Sequence, residues 1–93
     1  MRVEFLASAS SEWTETIAYY NELRAGLGYE FADEVERALT RVLQYPDAWT
    51  QVGPRTRRIL VDRFPYGLLY FVEEERVIVT AVMNLRRKPT SRD

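Results

Sequence analysis

Arginine is the residue type in this chain with the most chemistry to offer. Arg57, Arg58 and Arg63 fall within one basic-apolar run, RRILVDRF, and Arg86, Arg87 and Lys88 directly follow the apolar run RVIVTAVMN. A guanidinium group makes planar, two-point contacts to carboxylate or phosphate. The chain has neither histidine nor cysteine. Ser–His and Cys–His nucleophiles, disulfides and thiolate metal sites are therefore excluded. Zinc would need an all-carboxylate site, which is unusual, so no metal and no cofactor are expected. Any acid–base chemistry falls to carboxylates, tyrosine, lysine or arginine.

The net charge of -1 hides an asymmetry. Residues 1–50 carry four arginines against nine acids, giving -5, whereas residues 51–93 carry eight arginines and one lysine against five acids, giving +4. The C-terminal half is the natural anion-facing surface; on charge alone an ordinary solvated surface is an equal reading. Ninety-three residues, 46% of them hydrophobic, make a single domain over 1–93. The N-terminal apolar stretch is too short for a signal peptide, and no run approaches the ~20 apolar residues that span a bilayer. A cytoplasmic protein without membrane contact is expected.

Elements to hold these residues can be read from periodicity. RVEFLA, residues 2 to 7, alternates as a strand does, and Ser8 is a candidate N-cap for a helix after it. Ala9, Trp13, Ile17, Tyr20 and Leu23 recur at helical spacing to about Arg24, where Gly26 and Gly28 break the pattern. A second apolar stripe, from Leu27 through Phe31, Val35, Ala38, Leu39, Val42 and Leu43, predicts a second helix, ended by Pro46. Residues 46 to 56 read as a loop. Strands are expected over 57–64, 67–73 and 76–84 as an antiparallel meander, the last strand being central or covered on both faces. The order β-α-α-β-β-β is an α+β fold: an antiparallel twisted sheet packed against an N-terminal helical hairpin.

Three stretches carry a resemblance. TIAYYNEL lies in the first helix, LGYEFADEVERALTRVLQYP in the second, and VGPRTRRILVDRFPYGLLYFVEEERVIVTAVMNLRRKP covers the rest. The chain resembles the RelE/ParE superfamily of bacterial toxins, on its ParE-like, plasmid-stabilisation side. RRILVDRFPYGLLY and the terminal Arg-Arg-x-Pro are the most specific parts. The resemblance implies the toxin of a type II toxin–antitoxin module, neutralised by a cognate antitoxin whose disordered segment folds along it. The ParE branch is associated with inhibition of DNA gyrase, and the RelE branch with cleavage of messenger RNA on the ribosome.

Cleavage of the RelE kind needs a group to take a proton, a group to give one and cations to stabilise the phosphorane. By resemblance, Arg58 and Arg87 match two of the basic positions. Leu60 and Gly67 stand where two others would be, and no tyrosine follows Tyr70. Tyr66 is the candidate stand-in for proton transfer. Gyrase inhibition is a binding activity and needs no such groups. Arg57, Arg58, Arg63, Arg86, Arg87 and Lys88 are the candidate target-binding set, for acidic protein or DNA phosphate. Many family members carry a histidine before the terminal Arg pair. Met83-Asn84-Leu85 here raises the third reading, an antitoxin-binding module without toxicity.

Trp13, Trp49, Arg86 and Arg87 are the candidate antitoxin contacts, with core packing as the plainer reading for Trp13 and an even one for Trp49. Without antitoxin the same apolar surface is expected to pair two copies as a homodimer. Strand alternation puts Arg57 and Arg63 on one face and Arg58 on the other. Glu73, Glu74 and Glu75 are expected in a solvated turn.

Overall fold

The structure, a computed structural model, describes residues 1–86. Arg87 and Lys88, named above as site residues, lie outside the described residues. The elements are β1 (Arg2–Phe5), α1 (Ala7–Leu23), α2 (Leu27–Gln44), β2 (Thr50–Gln51), β3 (Arg57–Leu60), β4 (Tyr66–Glu73) and β5 (Arg76–Asn84). They form one sheet in the order β1-β5-β4-β3-β2. A helical hairpin covers one face and the other face is left open, which is the expected α+β arrangement.

Two details go beyond the sequence reading. β1 pairs with β5 in parallel, so the sheet is mixed. The chain can return in parallel because the whole hairpin and three strands lie between the two partners. The loop over 46–56 also contains a short strand, β2, antiparallel to β3. Trp49 fixes its approach: the Arg57 guanidinium donates to the Trp49 carbonyl at 2.8 Å.

Two boundaries differ from expectation. α1 starts at Ala7, with Leu6 and not Ser8 at the N-cap. The Leu6 N–H still donates to the Val79 carbonyl, at 3.0 Å, so the backbone is held to β5 up to the first helical residue. The strand expected over 57–64 stops at Leu60. Beyond it Val61 N–H closes onto the Tyr66 carbonyl at 2.9 Å, and Arg63 sits at φ 72 in the turn.

The core lies between α2 and the sheet. Phe31, Val35, Ala38, Leu39 and Val42 follow the helical period and meet Ile59, Val61, Leu68, Tyr70, Val77, Val79 and Val82. α1 is less deeply seated. Ala9 is buried, Trp13, Ile17 and Tyr20 pack against the core from the side, and Leu23 is exposed. Gly28 sets the hairpin's closeness. An added Cβ there would run into the Ile17 carbonyl oxygen, and the Gly28 N–H donates to Asn21 Oδ1 at 2.7 Å. Gly26, at φ 88, makes the left-handed turn between the helices.

β5 is covered on one edge by β1 only as far as Val79. Farther along, the Glu12 carboxylate of α1 accepts from the Val82 N–H at 2.9 Å. Thr80 is the extra residue of a bulge, since Leu69 pairs with Ala81 and Tyr70 with Val79.

Candidate functional site

The open face of the sheet is a grid fixed by register. Leu60, Gly67 and Met83 form one row, and Arg58, Leu69 and Ala81 the next. Phe71 and Ile78 follow, and then Glu73 and Arg76 at the far end. Leu60 is 53% exposed and Met83 37%, so two apolar side chains flank a floor of small and aliphatic residues.

Arg58 crosses this floor. A Cβ built on Gly67 would lie 3.3 Å from both Cγ and Cδ of Arg58. The absence of a side chain at Gly67 therefore lets the arginine lie flat along the sheet. Its Nε is buried and has no hydrogen-bond partner among the described residues. The guanidinium makes no ion pair among the described residues, so its charge is available to an anionic acceptor at that face.

The other sequence-predicted cations are dispersed. Arg57 faces the core side and is engaged with Trp49, and Arg63 is held by α2. Its Nη2 lies 2.7 Å from Glu30 Oε1 and its Nη1 3.4 Å from Glu34 Oε2. The hydrogen bond from Arg63 holds the Glu30 carboxyl below its ordinary range. Arg63 thus fastens the turn to the helix while its side chain stays half-exposed. Arg86 is exposed just past β5, its N–H donating to Asn84 Oδ1 at 2.9 Å. The four described cations of that set do not form one cluster: Arg58 alone of them lies on the open face.

Tyr66 begins β4 and is buried, its ring packed edge-on to Phe31 at 5.1 Å. It neighbours Gly67 in the strand, so its side chain points to the face opposite Arg58. Tyr70 is also on the core side, its hydroxyl donating to the Pro46 carbonyl at 2.7 Å. Burial raises its pKa. The tyrosine and the arginine proposed by resemblance for proton transfer and charge stabilisation are therefore separated by the sheet.

Trp13 stacks on Phe5 with ring centroids 4.9 Å apart. Trp49 packs on the core beside β3. Both indole N–H groups are buried without a partner among the described residues. The strand order puts these tryptophans toward opposite edges of the sheet. A cation that sequence reasoning missed is Arg55, whose guanidinium carbon lies 4.9 Å from the centroid of the Phe71 ring. Its loop position beside Pro54 gave no periodic signal. Among the described residues there is no group of three or more acidic side chains able to hold a metal ion.

This arrangement, a helical hairpin on one face of a five-stranded mixed sheet and an open face behind it, defines an α+β domain of a recognisable kind. It is similar to a chain of the chromosomal ParDE TA system from P. aeruginosa, with a TM-score of 0.79 and 11% identity over 92% of this chain and 97% of that one. It is also similar to the isolated RelE toxin of E. coli, with a TM-score of 0.67 and 22% identity over 95% of this chain and 87% of that one. The fold is that of the RelE/ParE toxins. No family model and no curated protein matches the sequence.

Proposed function

We propose that the protein is the toxin of a type II toxin–antitoxin module, ParE-like in action, which inhibits DNA gyrase by binding and is neutralised by a cognate antitoxin. The observation that carries this reading is the open face. It offers an apolar floor and a poised guanidinium, Arg58, while Tyr66 lies on the other side of the sheet. Such a face suits gripping an anionic, partly apolar surface. In-line RNA cleavage would also require a proton-transfer group beside the cation, and the nearest described tyrosines do not reach that face. The RelE-like fold keeps ribosome-dependent cleavage as the competing reading.

The antitoxin is expected to wrap the domain. An amphipathic segment would pack near the helical hairpin, and acidic residues would approach Arg86 and Arg87. Trp13 and Trp49, toward opposite edges, would both be reached only by an extended partner. In its absence two copies are expected to pair through the same surface.

Induction of the protein alone in bacterial cells tests the reading. Growth arrest with a DNA-damage response, relieved by co-expression of a cognate antitoxin, is the expected outcome. New codon-aligned ends in messenger RNA would assign the RelE activity instead, and no arrest at all would leave a non-toxic antitoxin-binding module.

A further inference from the structure

A cleft of about 480 Å³ opens on the helical side, between α1 and the paired ends of β4 and β5. Glu15, Thr16, Tyr19, Tyr20, Tyr66 and Arg86 line it, with Pro65 and Asn84. It does not share a face with Arg58, the residue on which the action on gyrase proposed above rests.

Its polar groups are mostly unspent donors. The Tyr20 and Tyr66 hydroxyls make no hydrogen bond among the described residues. Asn84 uses its Oδ1 to accept from the Arg86 N–H, which leaves its amide NH₂ to donate. The Arg86 guanidinium has no ion pair among the described residues. Thr16 has already committed its hydroxyl hydrogen to the Glu12 carbonyl, at 2.7 Å. Glu15 is the single carboxylate in the lining. The phenols of Tyr20 and Tyr66, with that of Tyr19 at the rim, an amide and a guanidinium therefore surround a space with one charged acceptor at its wall.

Donors in that excess select an oxyanion. A carboxylate presents two oxygens, whereas a phosphate monoester presents three, which matches the number of donor groups better. The cleft is also much larger than one phosphate. Ligand sites of this volume hold organic bodies, and the exposed ring of Tyr19, set edge-on against Tyr20 with centroids 5.2 Å apart, offers a free face for stacking. We infer that the cleft binds a small phosphate monoester carried on a flat ring, with the phosphate between Tyr20, Tyr66, Asn84 and Arg86 and the ring against Tyr19. Glu15 then accepts from a hydroxyl or N–H of the ring substituents. Burial raises the Tyr20 pKa, more than the opposing pull of Arg86 lowers it, so its phenol stays a donor at neutral pH.

Phenyl phosphate is the probe, read by amide NMR shifts on the full chain. Saturable shifts at Tyr20, Asn84 and Arg86 are expected. Inorganic phosphate, which lacks the ring, and benzoate, which lacks the third oxygen, should each bind about tenfold more weakly. Arg86→Gln should weaken phenyl phosphate about tenfold, and Tyr20→Phe, which keeps the ring in its aromatic cluster, about threefold. Arg2→Gln, in β1 beside the opposite end of β5, removes the same charge and should change nothing. Linear shifts without saturation, equal binding of benzoate, or equal loss in Arg2→Gln would each overturn the inference. Because the readout is ligand binding, it is independent of any effect on gyrase.

Discussion

Arg58 and Tyr70 show how one strand pair serves two faces. Arg58 lies across Gly67 on the open side, while Tyr70, on the neighbouring strand, turns inward and donates to the Pro46 carbonyl. Tyr70 thereby ties the loop after α2 to the sheet. Tyr70→Phe leaves that carbonyl without its donor and should cost about 1 kcal/mol, lowering the thermal midpoint by about 5 °C, which calorimetry would read. The same residue gives an alkaline signature. Its pKa is raised in the folded state by burial, so the folded protein keeps its proton where the unfolded chain has lost it. Stability is then fully present below about pH 10 and falls as pH rises through the folded value. Denaturant midpoints across pH 9 to 11 should fall less steeply in Tyr70→Phe than in the parent chain.

At the scale of elements, the helical hairpin and the β3–β4 turn depend on a few close contacts. Gly28 has no room for a side chain, so Gly28→Ala should destabilise the domain by about 3 kcal/mol in urea unfolding, through displacement of α1 from α2. The turn is fastened by Arg63 to Glu30 and Glu34. Glu30 is held below its ordinary value of 4.5, first by the hydrogen bond from Arg63. Its contribution is present above that pH and is lost as pH falls through the lower, folded value. The urea midpoints of Arg63→Gln and the parent chain should therefore differ most near neutrality and converge toward pH 3. The two helices were legible from the 3.6 period of their apolar residues, and the last strand from its near-continuous apolar run. β2 was hidden, since two exposed polar residues between a tryptophan and a glycine-proline turn have no pattern of their own. The end of β3 was obscured because Val61 and Phe64 continue an apolar run through a turn that Arg63 makes only by reaching α2.

For the whole molecule, what sequence could not reveal was which side of the sheet each charge occupies. The basic C-terminal half suggested one cationic end. Folding instead commits Arg57 to a loop carbonyl and Arg63 to α2, and leaves Arg58 on the open face, with Glu73 and Arg76 at its far end and Arg55 over Phe71. Alternation within the basic run already separated Arg57 from Arg58, but only the pairing of Arg58 with Leu69, next to Gly67, shows why the open side is where it can lie flat. Strand alternation likewise sets Tyr66 behind the sheet, away from Arg58. The account's central claim is inhibition through binding at that open face, and a gyrase supercoiling assay with purified protein tests it most directly. The account predicts dose-dependent loss of supercoiling, with Arg58→Ala needing about tenfold more protein for the same effect. Full gyrase activity in a large molar excess of the parent protein would contradict it.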